Sequence, residues 1–77
     1  MKQTRIDYTR LQDLMEREKM SMEMLSYFSG IVLKTLQRIL KAGTPLTIEQ
    51  GRGIAAALGI TKPEDIEYYF MDLVKEG

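Results

Sequence analysis

The sequence contains no cysteine and no histidine. Without cysteine, disulfides, zinc–thiolate sites and thiol nucleophiles are excluded. Without histidine, the commonest metal ligand and the commonest general base are missing as well. The carboxylates near residue 65, Glu64, Asp65 and Glu67, fall at a predicted helix start, where capping and the helix dipole explain them. We therefore expect no enzymatic activity, metal, cofactor or small-molecule ligand.

Long apolar runs are missing too. No stretch approaches the roughly 18 residues of a membrane-spanning helix, and the polar start "MKQTRIDYTR" lacks the apolar core of a signal peptide. The expectation is a cytoplasmic protein without a membrane partner. With 77 residues the chain is expected to form one domain, 1–77, because chains near this size bury only roughly 60% of their unfolded surface.

The net charge is zero, from 11 basic and 11 acidic residues, which by itself argues against a dedicated nucleic-acid binder. The charges are unevenly distributed along the chain. Residues 1–10 carry +2, 11–30 carry −2, 31–45 carry +3 and 46–77 carry −3, which sums to zero. The neutral total therefore conceals a basic start and a basic middle.

Hydrophobic periodicity predicts five helices and no strands, a compact all-α five-helix bundle. The first helix is predicted over 8–18 with Asp7 as its N-cap, and the second runs from the N-cap Ser21 to Gly30. The third is predicted over 32–41, ending near Gly43. The fourth begins at a capping box of Thr47 and Gln50.

The last two helices carry further signals. Gly51 and Gly53 are costly inside the fourth helix, so they indicate close approach of a neighbouring element. The C-terminal helix is predicted over 62–75, with Thr61 and Glu64 as a second capping pair around Pro63.

The segment "SMEMLSYFSGIVLKTLQRIL", residues 21–40, combines two short helices around Gly30. Leu25 and Phe28 are predicted to point inward from the second helix, where Ser26 is small enough for a helix to cross closely. The third helix is predicted to bury Val32, Leu36, Ile39 and Leu40. Its opposite side carries a stripe of hydrogen-bond donors: Lys34, Gln37, Arg38 and Lys41.

This order of residues resembles the helix-turn-helix of the Cro and phage-repressor family of transcription regulators, also called the xenobiotic-response-element (XRE) family. The matching cap, core, small and turn positions are Ser21, Leu25, Ser26, Gly30, Ile31, Leu36 and Ile39. The downstream "TPLTIEQGRGIAAALGI" is similar to the fourth helix of that family. The resemblance covers roughly 8–60 and implies a lambda-repressor-like DNA-binding domain.

In that family the third helix lies in the major groove, so the resemblance implies a helix-turn-helix over 22–41 and double-stranded DNA as the partner. The implied DNA-binding residues are Ser21, Met22, Val32, Leu33, Lys34, Thr35, Gln37, Arg38 and Lys41. Arg and Lys suit guanine and Gln suits adenine, whereas Lys41 suits a phosphate. A flexible basic arm over 1–6, with Lys2 and Arg5, is expected to follow the DNA backbone or minor groove.

The expected function is that of a small phage-type or mobile-element transcriptional regulator, acting as a dimer on a promoter or operator. Tyr68, Tyr69 and Met71 widen the apolar face of the last helix and are the expected dimer contacts. A second interpretation stays open, because Val32 and Leu33 are apolar where the family is usually polar. In this interpretation, these two residues and Met22 form a patch that binds another protein, as in an antitoxin-like or adaptor subunit.

Overall fold

The computed structural model describes residues 5–74, and within this range it contains five α-helices. They are α1 (Thr9–Arg17), α2 (Met22–Ser29), α3 (Leu33–Ala42), α4 (Ile48–Leu58) and α5 (Pro63–Phe70). The same range holds no strand, only an isolated parallel bridge between Leu46 and Val74. The predicted all-α five-helix bundle is therefore confirmed. None of these five helices has the length and apolar character needed to cross a membrane.

Local capping explains where the first helices begin. The Ser21 hydroxyl accepts the Met24 amide hydrogen at 3.1 Å at the start of α2. Thr47 and Gln50 form the predicted reciprocal capping box at the start of α4. Helix α1 begins one residue later than predicted, and its N-cap is Tyr8 rather than the predicted Asp7. Asp7 instead accepts hydrogen bonds from the Thr9 hydroxyl and amide in the turn before the helix, and these bonds lower the pKa of Asp7.

The C-terminal helix differs from its prediction at both ends. Its N-cap is Lys62 rather than Thr61, and no side chain caps it, because Pro63 occupies the first helical position and fixes the start there. The helix ends at Phe70 rather than at residue 75, which lies outside the described residues. The chain after Phe70 turns instead and pairs with the segment before α4, where the Leu46 amide donates to the Leu73 carbonyl at 2.7 Å.

The core is contributed by all five helices and by the turns between them. Helix α1 buries Leu11, Leu14 and Met15 along one stripe, as its spacing predicts. The residues with almost no exposed surface are Leu11, Leu25, Leu36, Leu46 and Ile54. Burial of these large side chains holds the short helices together, since helices of 8 to 11 residues are marginal in isolation.

Helix α2 packs against both α3 and α4. Its last residue, Ser29, lies directly on α4 at Gly53, where a Cβ atom would come 2.5 Å from the Ser29 carbonyl oxygen. At Gly51 a Cβ atom would be 3.1 Å from a methyl group of Val74. The close approach predicted from the two glycines is thus confirmed, and at Gly53 it is an approach of backbone to backbone.

The segment before α1 is fixed to the end of α3. The Ile6 amide donates to the Gly43 carbonyl at 2.9 Å, and the Arg5 guanidinium donates to the Lys41 carbonyl. Arg5 and Ile6, which the prediction places in a flexible arm over 1–6, are thus bonded to the end of α3, because the carbonyls at a helix C-terminus have no partner within the helix and accept from a cation and an amide. Lys2 lies outside the described residues.

Tyr8 gives a pH-dependent prediction. Burial raises the pKa of Tyr8 to about 12, and its hydroxyl donates to the Thr44 carbonyl. The unfolded chain ionises tyrosine near pH 10, so the contribution of neutral Tyr8 to stability is complete below pH 10 and is lost as the pH rises towards 12. We expect the free energy of unfolding to fall across this window. Denaturant melts of the wild type and Tyr8→Phe between pH 8 and 12 test it; the variant should lose this part of the pH dependence.

Candidate nucleic-acid interface

The turn between α2 and α3 is held by three hydrogen bonds around Gly30. The Gly30 amide donates to the Ser26 carbonyl at 3.0 Å, and the Ser26 hydroxyl donates to the Ile31 carbonyl at 2.5 Å. The Ile31 amide donates to the Ser29 hydroxyl at 3.2 Å. Serine at these two positions therefore fixes the direction in which α3 leaves α2, and Ile31 becomes buried in the turn.

Gly30 has φ +79°, and no atom of residues 5–74 lies within 4 Å of the position that a Cβ atom would take, so the backbone conformation is the feature that requires glycine. We expect Gly30→Val to lower the free energy of unfolding by about 1–3 kcal/mol, because a β-branched residue is strained at positive φ. Gly30→Asn is the matched control, since asparagine tolerates this region and should cost less. Chemical denaturation of the three proteins measures both values; equal melting of wild type and Gly30→Val would contradict the described turn.

Helix α3 has two opposite faces. Leu36, Ile39 and Leu40 are buried against the rest of the bundle. Each residue of the outward face can donate hydrogen bonds, and Gln37 can also accept them; all four are exposed: Lys34, Gln37, Arg38 and Lys41. Helix α3 contains no acidic residue, so no carboxylate of its own opposes the three cations. The four residues of the predicted stripe are therefore brought together on one surface.

The residues at the start of α3 are less uniform. Val32 was predicted to be in the core and is 69% exposed; that prediction is wrong, because Val32 is the extended N-cap residue and Ile31 takes the buried place before it. Leu33 and Thr35 are half-buried. Of the three predicted DNA contacts at the start of α3, Val32 is thus the one with an exposed side chain, and it lies next to the face of Lys34, Gln37, Arg38 and Lys41, which we call the donor face.

The predicted contacts at the start of α2 lie in different surroundings. Ser21 is exposed and caps the helix with its hydroxyl. Met22 is half-buried and lines a groove together with Asp13 and Glu16 of α1. Two carboxylates beside Met22 repel a phosphate, so the charge around this side chain does not favour a DNA contact.

An aromatic surface on α2 was missed by the sequence reasoning. Phe28 was predicted to point inward but is 55% exposed, and its ring makes an edge contact with Tyr27, which is 81% exposed. With the exposed Met24 these residues occupy one arc of α2, which we call the aromatic patch. The prediction failed because α2 turns its small residues, Ser26 and Ser29, towards α3 and α4, and this orientation is set by a tertiary contact at Gly53 that the sequence pattern does not contain.

Tyr68 and Tyr69, two of the expected dimer contacts, pack against α1. The Arg10 guanidinium lies 4.3 Å above the Tyr68 ring and donates to the Tyr68 carbonyl at 3.0 Å. The Arg17 guanidinium donates to the Tyr69 hydroxyl at 3.2 Å. These contacts attach α5 to α1 within one chain, whereas Met71 is 63% exposed.

Residues 5–74 contain no group of three or more acidic side chains placed to hold a metal ion. No family model matches the sequence, and neither the curated proteins nor the solved structures contain a significant match to it.

Proposed function

We propose that the protein binds double-stranded DNA through the outward face of α3, as a small transcriptional regulator of the Cro and phage-repressor type. The single observation that supports this most is the donor face itself: Lys34, Gln37, Arg38 and Lys41 are all exposed, on one side of a helix without acidic residues. The major groove of DNA is wide enough to admit an α-helix, and in it Arg and Lys pair with guanine and Gln pairs with adenine.

The surroundings of α3 extend the basic surface. Arg5 is exposed and bonded to the carbonyl of Lys41, so its charge adds to the end of the donor face. The backbone amides of Met22 and Glu23, next to the Ser21 cap, have no acceptor within α2 and suit a phosphate oxygen; this contact would be made by the backbone and not by the Met22 side chain, which lines the groove with Asp13 and Glu16. The proposed contacts are thus base edges for Lys34, Gln37 and Arg38, and phosphates for Lys41, Arg5 and the start of α2.

We propose further that two copies act together on DNA, because a single reading helix spans few base pairs, whereas a twofold dimer reads two half-sites about one helical turn apart. The apolar surface that supports such a dimer lies between α4 and α5. Exposed Ile48 and Ile66 border a groove of about 300 Å³ floored by Gly51 and Ala55. Met71 is the one expected dimer residue that is exposed without a described partner on α1.

Selection from a pool of random duplexes tests this function. The purified protein is titrated into the pool at several salt concentrations, and the bound fraction is sequenced. An enriched motif with two related half-sites is expected, with log affinity falling by about 0.9 per phosphate contact for each tenfold rise in salt. Binding without enrichment, or none at low salt, would contradict the proposal.

A second candidate function is protein binding by the same helix-turn-helix, as in an antitoxin-like or adaptor subunit. The observation that favours it is the exposure of Val32 near a helix that also exposes the aromatic patch. Met22 does not belong to this surface, since it lines the groove on α1. If no motif is enriched from the pool, the second candidate function is tested next. Val32 and Tyr27 are replaced by serine, and the loss of binding to a protein partner is measured.

A further inference from the structure

A second surface of the molecule has the opposite charge to α3. It is a groove of about 510 Å³ between α1, the start of α2 and the end of α3. Its apolar lining is Met15, Met20, Met22 and Leu40, and its charged lining is Asp13 and Glu16. We call it the methionine groove.

The turn between α1 and α2 builds the methionine groove. Lys19 adopts φ +56°, a conformation that costs a non-glycine residue roughly 1 kcal/mol or more, and the chain then folds back on α1. The Met20 amide donates to the Met15 carbonyl at 2.8 Å, which places the Met20 side chain over the end of α1. Met20 and Met22 are half-buried, so their thioethers line the groove without being enclosed by the core.

The carboxylates of the groove are not neutralised by the arginines of α1. Arg10 is held over the Tyr68 ring, and Arg17 donates to the Tyr69 hydroxyl, so both cations are directed towards α5. Asp13 and Glu16 are exposed and lie three residues apart on one face of α1. Among residues 5–74, the charged side chains that line the groove are therefore Asp13 and Glu16, both acidic.

We propose that the methionine groove binds a basic amphipathic helix of another protein. Unbranched, polarisable methionines adapt to the shape of an incoming apolar side chain, and the acidic edge selects Lys or Arg beside that anchor. The same carboxylates disfavour DNA here, so the molecule carries one surface for an anionic partner and one for a cationic partner. This inference does not depend on DNA binding by α3.

The six methionines of the chain allow a direct test. Three of them line the groove, Met24 and Met71 lie elsewhere, and Met1 is outside the described residues. The full chain, labelled with ¹³C at the methionine methyl groups, is titrated with a synthetic helix of Leu and Lys in amphipathic order. The expected result is saturable movement of the Met15, Met20 and Met22 signals, with Met24 and Met71 unchanged. A control helix with Glu in place of Lys should produce no movement.

Charge-neutral variants complete the test. Asp13→Asn combined with Glu16→Gln should weaken binding of the Leu–Lys helix by about threefold to thirtyfold at low salt, since two exposed charge pairs are lost. Glu64→Gln, an exposed change on α5, is the matched control and should leave the affinity unchanged. Unaltered affinity in the double variant, or equal movement of all methionine signals, would overturn the proposal. So would groove signals that move with protein concentration alone, which would identify a second copy as the occupant.

Discussion

Replacing Gly53 by alanine should destabilise the protein by about 1–3 kcal/mol, even though alanine favours a helix by about 1 kcal/mol over glycine. The reason is the contact of α4 with α2, where the new methyl group would lie 2.5 Å from the Ser29 carbonyl oxygen. A backbone atom at the end of a packed helix cannot rotate away as a side chain can. For a domain of this size the melting temperature should fall by roughly 4–8 °C per kcal/mol.

Gly51→Ala is the matched control for this experiment, because it lies in the same helix and gains the same helix propensity. Its new methyl group would meet a Val74 methyl at 3.1 Å, and that side chain can shift. We expect Gly51→Ala to be within about 1 kcal/mol of the wild type. Thermal and chemical denaturation of both variants separates the two sites; equal stability of Gly53→Ala and the wild type would mean that α2 and α4 are farther apart than described.

Replacing Arg38 by alanine should weaken binding to the selected duplex by about 1–3 kcal/mol, roughly 5-fold to 150-fold, and relax the base preference at one position of each half-site. Arg38 is exposed in the middle of the donor face, on the side of α3 opposite the core, so its loss should leave the melting temperature unchanged. Gln37→Ala should behave similarly at a neighbouring base.

Lys62→Ala controls for the loss of charge in the Arg38 experiment. The Lys62 side chain is exposed and makes no capping hydrogen bond at the start of α5, so the substitution removes one positive charge outside α3. Fluorescence anisotropy with the selected duplex and with a scrambled duplex measures affinity and preference together. Arg38→Ala binding both duplexes like the Lys62→Ala protein would show that α3 is not the reading helix.

The helices whose ends carry side-chain or glycine signals were predicted well from the sequence. Ser21 begins α2, the Thr47 and Gln50 pair begins α4, and glycines with positive φ end α2, α3 and α4. These signals act within a few residues along the chain, so they can be read without the tertiary structure. The end of α5 could not be predicted in this way, because it depends on the pairing of Leu46 with Leu73 and Val74, which joins parts of the chain that are distant in sequence.

The candidate site was predictable on α3 and much less so on α2. Helical spacing alone places Lys34, Gln37 and Arg38 opposite the buried face of α3. On α2, the pattern does not tell whether Phe28 or Ser29 faces the core. The answer depends on how closely α4 approaches at Gly53, which favours a small residue over an aromatic one.

Mapping of the DNA-bound surface by amide chemical shifts tests whether α3 is the element that binds DNA. A duplex containing the selected motif is added to the ¹⁵N-labelled protein at moderate salt. We expect the largest changes at Lys34, Gln37, Arg38 and Lys41, with smaller changes in the first turn of α2. Changes centred on the aromatic patch or on the methionine groove, with α3 unaffected, would contradict it.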